Sequence, residues 1–299
     1  KSSVEGGNRL TLLRDADIAL YRAKGAGRDR FAWYDAEVHG EILERVALEA
    51  DLRRAVHAGG IDLHFQPVFD LSDDRLVGVE ALARWPHPRR GFVPPLVFVR
   101  LAEDAGLITV LGEAVLERAA QHALAWPSGP PFRIWVNVSP HQLRVPGLAA
   151  TMLRALDRAG VDRTRFGIEL TESALADDKV AHRELSELAD AGLGVAIDDF
   201  GTGYSSLTRL QALPIDTLKI DQSFVHQSHT PQGRAAATAI VQLAHALGMT
   251  TVAEGIETPE QLEALKELGS DLASGYLLGR PAPAADLEVF RRDVPCHRS

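Results

Sequence analysis

Residues 166–221 read FGIELTESALADDKVAHRELSELADAGLGVAIDDFGTGYSSLTRLQALPIDTLKID. Three short apolar runs stand out: Phe166–Leu170, Gly194–Asp198 and Ile215–Ile220. Runs of this length read as buried parallel strands. Between them lie helical stretches at 179–191, closed by Gly192, and at 205–211. The runs carry Glu169, the pair Asp198–Asp199 and Lys219 at their ends. The same pattern recurs outward along the chain, in Val77–Gly78–Val79–Glu80, Ile134–Trp135–Val136–Asn137 and Thr251–Val252–Ala253–Glu254. One polar strand end could be chance, whereas six point to one polar site at one rim of a sheet.

The rest of the chain extends the alternation. Helices are predicted at 10–24 and 39–57, with a short strand at 30–34 between them. Strands at 61–68 and 76–85 flank the polar turn Ser72–Asp73–Asp74 and read as neighbours. Helical stretches follow from Leu96 to Trp126, then a strand at 132–138 and a helix at 148–159 closed by Gly160. Further on come a helix at 233–247, a strand at 250–253 and a helix from Pro259. Thr258 and Gln261 form a capping box for that helix. A last strand at 271–277 and a helix at 284–291 close the series. About eight strands joined mostly by helices fit a (β/α)8 TIM-like barrel, whose sites lie at the C-terminal strand ends. A doubly wound open sheet is the competitor, but it would scatter the polar ends along a crevice. No internal repeat is visible.

Bulk properties narrow the function. The 299 residues are 45% hydrophobic and 24% charged, the balance of a soluble globular protein. The formal net charge of −9 argues against binding long nucleic acid, which usually needs a basic face. A single cysteine, Cys296, excludes a disulfide frame and points to a reducing compartment. No apolar run approaches a membrane span, so a cytoplasmic segment without membrane contact is expected. The chain begins at Lys1 rather than Met and is expected to be a piece of something longer, which could itself be membrane-anchored.

Asp198–Asp199 is the strongest local signal, because adjacent carboxylates repel unless a cation sits beside them. Glu80, Asn137 and Glu169 add oxygen donors of the type hard divalent ions choose. With no cysteine and no histidine at ligand spacing, magnesium or manganese is favoured over zinc. Each residue also has a plain explanation. Glu80 could pair with Arg84, Asn137 could satisfy loop backbone, and Glu169 could cap a turn. Lys219 on its own run favours a structural ion pair with Asp221 over a role with an attacking water. Glu254 and Glu257 share that ambiguity.

Taken together, the motifs resemble the EAL-domain cyclic di-GMP phosphodiesterases. Glu80–Ala81–Leu82 looks like the family signature. Phe65–Gln66–Pro67–Val68, Val136–Asn137–Val138–Ser139, Ile168 to Ser173, Asp198 to Leu207, Leu218 to Asp221 and Ala253 to Glu257 follow in family order. The resemblance implies a pair of Mg²⁺ or Mn²⁺ ions at Glu80, Asn137, Glu169, Asp198 and Asp199. It implies that Lys219 and Glu254 hold the nucleophilic water and that Glu172 steadies the loop from Asp199 to Ser206, with Glu257 also among the catalytic positions. Gln66, Arg84 and Asp221 would contact the cyclic dinucleotide. The implied reaction is hydrolysis of cyclic di-GMP to linear pGpG. The alternative is a weak or silent cyclic di-GMP receptor that signals through a protein partner. A homodimer is expected.

The segment Ala16 to Lys24, with Gly27–Arg28 after it, resembles the last helix and strand of a GGDEF domain, whose own signature is absent. The expected organisation is a GGDEF remnant and linker at 1–37, the barrel at 38–292 and a tail at 293–299, with further GGDEF or sensor domains upstream. One departure stands out: Ser274–Gly275–Tyr276 replaces the Gln–Gly–Tyr usual in the family, so reduced rather than lost activity is expected.

Overall fold

A computed structural model describes residue 20 and residues 36–126, 132–175, 178–201 and 207–287. The predicted helix at 10–24 (Leu20 apart), the strand at 30–34, the loop at 202–206 and residues 288–291 of the last helix lie outside the described residues. The chain divides into two compact units, Lys1–Ala55 and Val56–Ser299. Apart from Leu20, the described part of the first is residues 36–55, which form most of α1 (Ala36–His57). No helix among the described residues is long and apolar enough to cross a membrane.

In the second unit the strands are β1 (Asp62–Asp70), β2 (Leu76–His87), β3 (Gly91–Val93), β4 (Arg133–Asn137) and β5 (Phe166–Thr171). β6 (Gly194–Phe200), β7 (Thr217–Ile220), β8 (Thr250–Ala253) and β9 (Leu272–Ala273) follow. Their order is β1-β9-β8-β7-β6-β5-β4-β2-β3, and β1 also pairs with β2. Eight strands therefore close a TIM-like barrel, with β3 outside the ring. Closure rules out the open sheet.

The helices between strands are α2 (Pro95–Asp104), α3 (Ile108–Ala123), α4 (Pro140–Leu143), α5 (Leu148–Ala159) and α6 (Lys179–Asp190). α7 (Leu207–Ala212), α8 (Gln222–His226), α9 (Pro231–Ala246) and α10 (Pro259–Leu268) complete the set before a last helical turn at 284–287. Thr258 and Gln261 do form the capping box of α10. Gly160 ends α5 with φ 70°, a left-handed conformation that costs glycine nothing.

Two features differ from a regular barrel. β1 runs antiparallel to both of its neighbours, β2 and β9, while the other ring pairs are parallel. The cause is the short turn after β1, where Asp70 accepts from Ser72 N at 2.8 Å and Asp73 from Arg75 N at 3.1 Å. A parallel partner would need a crossover of a dozen or more residues. The strand predicted at 271–277 shrinks to Leu272–Ala273. Gly275 turns the chain away, and Leu278 N and Gly279 N both donate back to its carbonyl, at 3.1 and 2.9 Å.

The short apolar runs hide an alternation. In β5, Phe166, Ile168 and Leu170 are at most 1% exposed, and Gly167 and Glu169 lie between them. Successive side chains in a strand point to opposite faces. Phe166, Ile168 and Leu170 thus face the helices, and Gly167 and Glu169 face the barrel interior. The same parity sets Ile134 and Val136 against Trp135 and Asn137 in β4, and Leu218 and Ile220 against Lys219 in β7.

Candidate active site

The polar strand ends meet in the upper barrel interior. Lys219 is 3% exposed, and its Nζ lies 2.6 Å from Glu254 Oε1, 2.9 Å from Glu169 Oε2, and 3.3 Å from both Glu80 Oε2 and Asp198 Oδ1. Asn137 Nδ2 donates to Glu80 Oε1 at 2.7 Å. Glu80 is thus held by Asn137 and Lys219, the pairing that the sequence leaves open between this cluster and Arg84. The structural partner favoured for Lys219 from its own run, Asp221, is corrected. Asp221 Oδ1 instead caps α8, accepting from Ser223 N at 3.0 Å. The side chains of Lys219 and Asp221 diverge because β7 ends between them.

Four carboxylates around one ammonium leave an excess of negative charge. Burial tends to lower the Lys219 pKa, but Glu169, Glu254, Glu80 and Asp198 together outweigh it and hold it well above the ordinary lysine value. Burial drives the Glu169 carboxyl well up, helped by the Glu80 charge. It also pushes Glu254 up to about 8 against the pull of Lys219. Asp199 is raised by burial and then by Asp198 and Asp221. Such neighbours resist full ionisation without more positive charge than one lysine supplies.

A bulge brings the two aspartates together. The sequence suggests that the strand stops at Asp198, but β6 continues to Phe200, which pairs with Ile220 after a register shift. Asp199 adopts φ 54°, a left-handed conformation that aspartate tolerates better than most residues. Asp198, Asp199 and Glu254 then each offer an oxygen, all within 4.8 Å of one another. An all-oxygen donor set with surplus negative charge fits a hard divalent cation.

Above the cluster is a cavity of about 430 Å³. Gln66, Asp221, Glu257 and Ser274 line it together with Glu80, Asp198, Asp199, Lys219 and Glu254. Gln66 pairs with Glu80 across the β1–β2 ladder, which explains its position. Asn137 and Glu169 do not line the cavity; exposed Asn137 holds Glu80, and buried Glu169 holds Lys219. Glu172 Oε2 accepts from Gly201 N at 3.4 Å, at the start of the glycine loop. Arg84 stands off the cavity wall and donates to the Ala83 carbonyl at 3.0 Å; burial lowers its pKa, opposed by Glu80. The sequence pattern does not single out Gln222 and names Tyr276 only as part of the motif with Ser274; both also line the cavity. Arg280 lies 4.3 Å from the centre of the Tyr276 ring, a cation–π pair between residues four apart.

The EAL domain family model matches residues 49–281. The chain belongs to the EAL domain family. It is 39% identical over 287 residues to the bifunctional diguanylate cyclase/cyclic di-GMP phosphodiesterase MucR of Pseudomonas aeruginosa, covering 95% of this chain and 42% of that one. It is 34% identical over 290 residues to the cyclic di-GMP phosphodiesterase PdeR of Escherichia coli, covering 96% and 44%. Among solved structures, the PaMucR phosphodiesterase in complex with c-di-GMP superposes on this EAL chain with a TM-score of 0.76 at 40% identity, over 81% of this chain and 99% of that one. The chain spans 35%, 42% and 44% of the length of three curated relatives it matches.

Proposed function

We propose that this chain is a cyclic di-GMP phosphodiesterase that opens one phosphodiester to give linear pGpG. The observation that carries the reading is the ammonium of Lys219 among four carboxylates beneath an open cavity, in a chain of the EAL family. Glu80, Asn137, Glu169, Asp198 and Asp199 would hold two divalent cations, Mg²⁺ or Mn²⁺. When bound, these supply Lewis-acid polarisation of the phosphate and a more acidic water.

The chain's own residues do the rest. Lys219 and Glu254, 2.6 Å apart, form a pair able to hold a water by one donated and one accepted hydrogen bond. The water oxygen attacks phosphorus and gives up a proton to the solvent, while the bond from phosphorus to the ribose 3′ oxygen breaks and that oxygen takes up a proton from the solvent to become the 3′ hydroxyl. Gln66, Arg84 and Asp221 would position the dinucleotide, with Glu257 at the cavity rim beside them. Glu172 would hold the loop after Asp199 through Gly201.

The same reading takes residues 1–37 as a GGDEF remnant, 38–292 as the phosphodiesterase domain and 293–299 as a tail. Its support is that relatives align over 95% and 96% of the chain although the EAL model begins at residue 49. A homodimer belongs to the proposal and is read by light scattering.

The test is incubation of purified protein with cyclic di-GMP and Mn²⁺ or Mg²⁺, followed by chromatography. pGpG above a metal-free control is expected. Tight binding without product would favour the silent receptor instead.

A further inference from the structure

The barrel interior has a second open end. Thr217 and Thr250 begin β7 and β8, Arg133 begins β4, and these residues line a cavity of about 920 Å³ at the amino-terminal ends of the parallel strands. TIM-type barrels are filled throughout by layers of side chains, so an unfilled lower half calls for a reason. The interior positions of β5 and β6 at this level are glycines. A Cβ on Gly167 would meet the Trp135 ring at 2.3 Å, and one on Gly194 would meet it at 3.0 Å. The indole of Trp135 therefore packs against those two strands. It lines this cavity but not the one above, and closes it toward the catalytic layer.

The wall holds two cations and two carboxylates: Arg133, Arg165, Asp70 and Asp162. Three of them are engaged. Arg133 Nη1 lies 3.3 Å from Asp216 Oδ2, and its guanidinium lies 5.2 Å from the Trp135 ring centre. Asp70 accepts from Ser72 N at 2.8 Å, and Asp162 from Thr164 N and Oγ1 at 2.9 and 2.8 Å. Arg165 differs. Its Nη1 donates to the Ala123 carbonyl at 3.1 Å, while Nε and Nη2 are buried with no acceptor among the described residues. A buried guanidinium edge without an acceptor is costly, and native proteins rarely leave one. Trp126 and Phe132 add aromatic surface beside it, with ring centres 5.6 Å apart.

We propose that this lower cavity binds a small organic anion with a flat apolar body, its carboxylate taken by Arg165 and its body lying among Trp126, Phe132 and Trp135. The volume lies within the range of ordinary small-molecule sites. A guanidinium edge matches a carboxylate with two parallel hydrogen bonds. Arg165 is among the residues that line the cavity, and binding would require its guanidinium to turn that edge to the ligand. A neutral ligand would leave the edge unpaired, and a polyphosphate would face the carboxylates of Asp70 and Asp162.

The probe is 2-naphthoate, titrated calorimetrically into the full chain, with 2-naphthylmethanol as its neutral counterpart. One saturable site is expected, with the acid bound about tenfold or more tightly than the alcohol, the size of a charged hydrogen bond. Arg165→Leu should remove that preference while circular dichroism stays unchanged. If that variant fails to fold, the wild-type comparison of acid with alcohol still decides, together with NOEs from 2-naphthoate to the indole protons of Trp126 and Trp135. No saturable binding, or equal affinity for acid and alcohol, overturns the proposal. Displacement of 2-naphthoate by cyclic di-GMP with Mn²⁺ would place the probe in the upper cavity and overturn it too.

Discussion

Lys219 Nζ lies 3.3 Å from Glu80 Oε2, although their strands stand on opposite sides of the barrel. Going round the ring either way from β7 to β2, three strands intervene. The contact can only be made through the interior, and a lysine stem is long enough to make it. One side chain thereby ties β2, β5, β6 and the residue after β8 into a single polar layer.

Lys219→Ala should reduce turnover of cyclic di-GMP by about 10²-fold or more, the usual scale of a lost acid–base or water-orienting group, and leave dinucleotide binding largely intact. Steady-state kinetics and a binding titration separate the two. Unchanged turnover would remove Lys219 from the mechanism. In metal-free protein the same change leaves four carboxylates unbalanced and should cost about 3–5 kcal/mol in denaturant unfolding.

Adding Mn²⁺ to metal-free protein should raise the thermal midpoint, because ligands that bind only the folded state stabilise it. The double variant Asp198→Asn with Asp199→Asn should abolish that rise. A rise of equal size in the variant would move the cation away from the bulge in β6. Chelation should likewise stop turnover, and Mn²⁺ or Mg²⁺ should restore it.

Ser274→Gln should speed turnover. Ser274 is buried at the cavity wall, 6% exposed, where a carboxamide would reach further toward the cluster than a hydroxyl. A rate equal to that of the parent chain would show that the serine costs nothing.

Gly167→Ala should destabilise the fold by about 1–3 kcal/mol, the cost of overpacking a filled site. The added methyl would meet Trp135 at 2.3 Å, and the indole is held by Gly194 and Arg133 as well. Chemical denaturation reads this directly.

Acid should weaken the contact between β8 and β9 through Asp271. Burial alone would raise its carboxyl, but donation from Thr251 N and Oγ1, each at 2.8 Å, and from His245 holds it below the ordinary aspartate value. A folded-state pKa below the unfolded one gives stability that is present above the unfolded value and lost as pH falls through the folded one. Stability should therefore drop below about pH 4, and Asp271→Asn should flatten that part of the profile.

Much of the site was legible because strand ends project functional groups to one rim of a barrel. Glu80, Asn137, Glu169, Asp198 and Glu254 could be read from where apolar runs stop. Lys219 could not be assigned this way, because its nearest acid in sequence, Asp221, is not its partner in space. The position of Asp199 was also hidden, since a bulge and a positive φ are set by the ladder with β7 and not by the residue pair alone.

The sequence by itself determined the strand–helix alternation, the family, the capping of α10 and which residues carry charge. Those follow from local periodicity and residue chemistry. Tertiary structure decided that β1 runs antiparallel, that Lys219 reaches Glu80, and that two interior glycines, Gly167 and Gly194, make room for the Trp135 ring. Contacts between strands far apart in sequence settle these points, and no local pattern encodes which side chains meet when the sheet closes.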